Sequence, residues 1–193
     1  MILVDYSAVS LGSFVSGHVG NDVNLLRHVI LNSLRSYNLK HRKKYGEMVL
    51  CMDSSSWRKG VFEHYKFKRK EARAKDKHDW VEIFKTLNQI SDEIKQFMPY
   101  RVLHVKGAEG DDCIASMVKR CQQFGQWEPC MIIAADKDYI QLQKYEGVKQ
   151  WSTNTKKLVA GDPSQWLFES IAKGQAKDGV PNCLLYTSPS PRD

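Results

Sequence analysis

The chain has 193 residues, 42% of them hydrophobic, enough for one domain with a core, or one domain and the start of another. Its net charge is +7, and the stretch from Arg35 to Lys77 alone holds 14 Lys or Arg against 5 Asp or Glu, so an anionic partner is expected. Five scattered cysteines (51, 113, 121, 130 and 183) form no Cys-x-x-Cys pair, which argues against zinc and disulfides and for a reducing compartment. The N-terminus is too short for a signal peptide and no apolar run approaches membrane-spanning length, so a cytoplasmic protein with no membrane partner is expected.

Ile2 to Val4 reads as a short strand buried on both faces. A Ser/Gly-rich loop is expected from Ser7 to Gly20. Asp22 then looks like the N-cap of a helix with Val23, Leu26, Ile30, Leu34 and Tyr37 at helical spacing, a basic tail from Lys40 to Lys44, and Gly46 as its stop. Val49 to Met52 reads as a second strand, broken by Ser54, Ser55 and Ser56. From Arg58 to Lys77 aromatics and cations interleave with little to bury, so this segment is expected to stay mobile until a partner arrives. For the whole basic run from Arg35 to Lys77 the plainer alternative is a solvated, lysine-rich helix pair.

Trp80 to Phe97 predicts a helix with Ile83, Leu87, Ile90, Ile94 and Phe97 as its apolar stripe, ended by Pro99. A strand is expected at Arg101 to Val105, then a helix from Asp111 or Asp112 through Phe124, closed by Gly125. Met131 to Ala134 and Val148 to Trp151 read as further strands around a short helix at Tyr139 to Leu142. Asp162 and Pro163 mark the cap and first turn of a helix reaching about Lys173. This alternation implies an α/β fold with a mostly parallel sheet and helices on both faces.

Against this order, seven acidic residues fall into a pattern. Asp5 and Asp53 close the first two strands, Asp136 and Asp138 follow the fourth, and Glu109, Asp111 and Asp112 open a helix. Strand exits of a parallel sheet share one edge, where ligands bind. Gathered carboxylates repel unless a cation holds them, and hard oxygen donors suit magnesium, with manganese as a substitute. Two-metal phosphodiester hydrolysis needs several such carboxylates: Asp5, Asp53 and Glu109 for one ion, Asp136 and Asp138 for another, and Asp111 between them. Singly, each has a plainer reading as a helix-dipole partner, turn cap or solvated loop residue. In the basic segment, Tyr65 and Phe67 can stack on bases, while Lys66 and Arg69 share a helical face.

The ordered set resembles the 5′ nucleases: flap endonucleases, the 5′-exonuclease domains of bacterial DNA polymerases, and phage ribonucleases H. The residues that carry it are Ile2-Leu3-Val4-Asp5, Tyr45 to Asp53, Tyr65-Lys66 with Arg69-Lys70, Glu109-Gly110-Asp111-Asp112, Ala135 to Tyr139, Val148 to Ser152, and Ile171 to Gly174 with Lys177 to Val180. The resemblance implies a PIN-like catalytic domain over residues 1–160, with a basic arch near 58–77 and the truncated start of a helix–three-turn–helix at 161–183. It implies one metal held by Asp5, Asp53, Glu109 and Asp111, a second by Asp111, Asp136, Asp138 and Asp178, and Asp112 in an outer shell. It also implies that Lys66 and Arg69 steer the scissile phosphate, and that Tyr65, Lys70 and Arg73 belong to the nucleic-acid-binding set. Where the family usually has an acid after the glycine at 174, this chain has Gln175. The tail Leu184 to Asp193 resembles a translated sequencing-adapter scar, which implies a longer natural protein.

The expected function is a two-magnesium 5′-3′ exonuclease or flap endonuclease. It would act, as a monomer, on RNA–DNA hybrids, 5′ flaps or nicked duplex DNA, removing RNA primers in replication beside a sliding clamp or single-strand-binding protein. A nucleic-acid-binding module weakened in catalysis is the alternative. A phosphotransferase using Asp136 or Asp138 as nucleophile is a third reading, and no Ser or Thr helper is evident nearby.

Overall fold

The computed structural model describes residues 1–16, 22–125 and 127–182. Cys183, the tail at 184–193 and the last part of the expected Ser7–Gly20 loop lie outside them. Five parallel strands and one antiparallel strand make a single sheet in the order β3-β2-β1-β4-β5-β6: β1 Ile2–Asp5, β2 Met48–Met52, β3 Arg101–His104, β4 Cys130–Ile133, β5 Val148–Trp151 and β6 Leu158–Val159. β1 is central, in register with β2 on one side (Ile2 with Met48) and β4 on the other (Ile2 with Met131). Strand order therefore reverses at β1, which makes its carboxyl end the crevice where such sheets bind ligands.

Alternate strand residues face opposite layers. Ile2, Val4, Leu50 and Ile133 pack under α1 (Tyr6–Ser16), α2 (Val23–Tyr45) and α4 (Trp80–Phe97). Leu3, Cys51 and Ile132 pack under α5 (Gly110–Lys119) on the other face. The expected α2 stripe is buried from Leu26 to Tyr37, while Val23 at the helix start is only partly buried; Ile30 and Leu34 are both at 0% exposure. Truncating either to alanine would cost about 2–5 kcal/mol. The Asp22 carboxylate caps α2 by accepting from the amides of Asn24 and Leu25, and Gly46, at φ +79°, ends it.

Several expectations need correction. Tyr6–Ser16 is a helix, not a loop: Tyr6, Val9, Ser10, Ser13 and Phe14 are buried at helical spacing. The α4 stripe stops at Ile94, because Phe97 is 69% exposed beyond the end of the core. α5 begins at Gly110 under a Glu109 N-cap, and Asp112 closes the capping box rather than opening the helix. Its last turn widens to a π-turn at Arg120–Phe124. The short helix after β4 is a 3-10 segment, Lys137–Lys144, and strand β6 was not foreseen. Two exposed pieces lie within 58–77: most of a 3-10 turn, Trp57–Gly60, and α3, Phe67–Ala74, with no buried residue in either. α6, Pro163–Lys173, starts at the expected Asp162 cap. No helix among the described residues is long and apolar enough to cross a membrane.

Candidate active site

The carboxyl edge of the sheet opens into a cleft of about 2060 Å³. Every residue assigned from sequence lines it: Asp5, Asp53, Glu109, Asp111, Asp136, Asp138 and Asp178 on the acidic side, and Tyr65, Lys66, Arg69, Lys70 and Arg73 on the basic side.

Asp5 ends β1, and its carboxylate accepts from the Ala8 amide (3.0 Å) and from the Tyr139 hydroxyl (3.2 Å). Burial, with added repulsion from Asp53 and Asp111, pushes its carboxyl up to about 6. Asp53, just past β2, accepts from the Ser7 hydroxyl (2.6 Å) and the Gly110 amide (2.6 Å). Glu109 is buried, and its carboxylate accepts from Lys66 Nζ (2.6 Å), the Tyr65 hydroxyl (2.7 Å) and Arg58 (3.2 Å). Burial raises the Glu109 carboxyl, but Lys66 and Tyr65 more than offset this and leave it below its ordinary value. Partial desolvation and the neighbouring Glu109 charge lift Asp111.

Asp136 caps the 3-10 segment by accepting from the Asp138 amide, as its plainer reading expects, and it lines the cleft. The fully buried Gln150 fixes this loop by donating to the Asp136 carbonyl at 2.6 Å. The Asp138 carboxylate accepts from Trp166 Nε1 (3.3 Å) and Gln175 Nε2 (3.1 Å). Asp178 pairs with Arg69 at 2.6 Å, while its carbonyl accepts from the Lys66 amide at 3.1 Å. The turn holding Asp178 therefore anchors the base of the basic segment. Gly179, at φ +83°, lies so close that a Cβ there would meet the His64 carbonyl at 2.8 Å. Lys70 and Arg73 have no carboxylate partner among the described residues; the Arg73 guanidinium lies over Phe84 (4.8 Å) and Trp80 (5.4 Å) instead.

The donors fit a hard divalent cation by their chemistry: they are all carboxylates, and mutual repulsion contributes to the raised Asp5 and Asp111. Among the described residues no three of them converge closely enough to enclose an ion as they stand. Glu109 is drawn toward Lys66 and Tyr65, and Asp178 toward Arg69, so protein cations hold part of the donor set.

Sequence reasoning missed Ser7, Arg58, Gly110, Tyr139 and Trp166 as contacts of these carboxylates. Ser7 was hidden by the loop assignment. Arg58 and Tyr139 stood inside noted stretches, but nothing in their spacing marked a carboxylate partner.

Residues 2–168 match the family profile of the 5′-3′ exonuclease N-terminal resolvase-like domain. The chain is 35% identical to ribonuclease H of Enterobacteria phage T4 over 189 residues, covering 92% of this chain and 61% of that protein. It is 30% identical to flap endonuclease Xni of Shewanella loihica over 125 residues, covering 63% of this chain and 43% of that one. It thus spans about three fifths or less of these relatives. The flap endonuclease of bacteriophage T5, solved as a pseudo-enzyme–product complex with DNA and metal ions, superposes with a TM-score of 0.74 at 16% identity, over 94% of this chain and 68% of that one. A phage T5 structure co-crystallised with metal ions gives 0.73 at 16% identity and the same coverage. These structures share the mostly parallel, helix-flanked fold, and the family profile matched over residues 2–168 shows that the chain belongs to the 5′-3′ exonuclease family.

Proposed function

We propose that the protein is a magnesium-dependent, structure-specific 5′ nuclease that hydrolyses phosphodiesters near the 5′ ends of RNA–DNA or DNA duplexes, including RNA primers. The observation that carries this is the gathering of seven carboxylates and five basic or aromatic residues in one cleft at the strand-order reversal. The metal-bearing T5 structures and the DNA in one of them support it, as do the names of the curated relatives.

In this reading Asp5, Asp53, Glu109 and Asp111 hold one ion, and Asp111, Asp136, Asp138 and Asp178 a second. Bound divalent ions would supply a water nucleophile at neutral pH and neutralise charge on the phosphate. The chain's own residues do the positioning. Tyr65 stacks on a terminal base, Lys66 and Arg69 turn from Glu109 and Asp178 toward the phosphate, and Lys70 and Arg73 guide the backbone. Residues 1–160 form the catalytic domain and residues 161–183 begin a duplex-binding element. A sliding clamp or single-strand-binding protein would be met in the cytoplasm by the monomer.

The test is a 5′-labelled flap duplex and an RNA–DNA hybrid incubated with the protein in magnesium and in EDTA. Short 5′ products in magnesium alone support the nuclease. Binding without cleavage would favour a binding module, a reading to which the Gln175 amide on Asp138 lends support, since a neutral donor stands beside that carboxylate.

A further inference from the structure

We propose that Arg58 is a positioning residue that fixes the acidic helix start through Asp112, and that removing it weakens divalent-cation binding. The proposal rests on the nuclease reading above. Arg58 lies in the 3-10 turn after β2, where its own amide donates to Ser56 Oγ at 3.3 Å. Its guanidinium forks onto Asp112, with one nitrogen on Oδ2 at 2.9 Å and the other on Oδ1 at 2.8 Å. Such a fork fixes a carboxylate in angle as well as distance, which an ammonium does not do. The rings of Trp57 and Tyr65 flank the guanidinium at 4.9 and 5.9 Å.

Asp112 carries that order into the site. Its Oδ2 also accepts from Trp57 Nε1 at 3.3 Å and from the Glu109 amide at 3.1 Å. Asp112 therefore accepts four hydrogen bonds, three on Oδ2 and one on Oδ1. Asp112 thus holds the first turn of α5, which carries the N-cap Glu109 and Asp111, both lining the cleft. Arg58 also reaches Glu109 Oε2 at 3.2 Å, so the same side chain touches both ends of the capping box. Lys66, by contrast, meets Glu109 through one nitrogen and has no tie to Asp112. When Lys66 and Tyr65 leave Glu109, Arg58 stays on that carboxylate, together with Ser56.

The sign of the effect separates positioning from charge. Arg58 is a cation beside a cation site, so as a bare charge its loss would tighten metal binding. As a positioning residue its loss loosens binding, by roughly ten- to a hundredfold for an outer contact of this kind. Manganese binding would be titrated by calorimetry, and by the spin resonance of free manganese, in the wild type, Arg58→Met and Arg58→Lys. Both variants are expected to bind manganese more weakly, Arg58→Lys included, although it keeps the charge. Asp112→Asn combined with Arg58→Met should lose no more than the weaker single variant, because both act along one path. Unchanged or tighter binding in either Arg58 variant would overturn the proposal. So would loss of folding in both variants, seen by circular dichroism, which would make the contact a fold contact. A wild type that binds no manganese would instead sink the nuclease reading itself.

Discussion

The amide of Gly110 donates to Asp53 Oδ1 at 2.6 Å, and this bond joins the exit of β2 to the first turn of α5. The approach depends on glycine: a Cβ at 110 would lie 3.1 Å from that same oxygen and 3.2 Å from the Cys51 carbonyl. Gly110→Ala should therefore fold but push Asp53 aside by a few tenths of an ångström or more. Small misplacements at reacting centres are costly, so cleavage should drop roughly tenfold to a hundredfold. Steady-state rates on a flap duplex, beside a thermal melt showing a retained fold, check this; wild-type rates would show that the contact is dispensable.

Asp5 links pH to stability. Its carboxyl is raised to about 6 in the fold, above its ordinary value, so the stabilising contribution is present at low pH and lost as pH rises through about 6. Above that pH the ionised group costs the metal-free protein on the order of 3 kcal/mol. Asp5→Asn should raise the melting temperature in EDTA at pH 8, make little difference at pH 4, and remove most of the stabilisation that magnesium gives the wild type. Melts at the two pH values, with and without magnesium, decide it.

Much of this was legible in the sequence because burial and charge leave a local record. The strands show as short apolar runs, α2 as a capped stripe, and the acidic residues as punctuation at strand exits. What was not legible depends on partners far along the chain. The Tyr6–Ser16 helix looked like a loop because serine and glycine propensities argue against helix, while packing on the sheet overrode them. The Arg58 fork spans 54 residues and the Arg69 pair with Asp178 spans 109, and no periodicity carries such information.

Lys66 competes with any cation for Glu109, since its ammonium sits 2.6 Å from Oε1. Lys66→Ala should bind manganese more tightly than the wild type yet cleave more slowly, by at least tenfold, because the phosphate contact is lost. Calorimetry and single-turnover cleavage would show the two opposite signs. A fall in both would mean that Lys66 holds Glu109 in place rather than blocking it.

His41 offers a second pH test far from the acidic cleft. It is 7% exposed, edge-on to Trp151 and Tyr45, and its Nε2 has no hydrogen-bond partner among the described residues. Burial, then the charge of Lys40, lowers its affinity for protons in the fold. The unfolded chain therefore binds more protons near pH 6, and stability should fall as pH drops below about 6.5. His41→Phe fills the space without titrating and should flatten that slope in urea midpoints between pH 5 and 8; an unchanged slope would assign it to other groups.

Lys70 and Arg73 differ from their neighbours in a way that salt can read. Arg58, Lys66 and Arg69 each meet a carboxylate, whereas Lys70 and Arg73 have no such partner among the described residues, and both line the cleft. A cation with no carboxylate partner can contact a phosphate without first breaking an ion pair, so these two should dominate initial binding. Each phosphate contact on a duplex contributes about 0.9 to the slope of log affinity against log salt. Lys70→Ala with Arg73→Ala should reduce that slope by about 1 to 2 in calcium or EDTA, where cleavage does not interfere. Arg69→Ala should change it less, because Arg69 must leave Asp178 to reach a phosphate and so contributes less to the encounter. Equal losses from both variants would mean that the Arg69 pair opens freely and that all the cations along this helix meet nucleic acid alike.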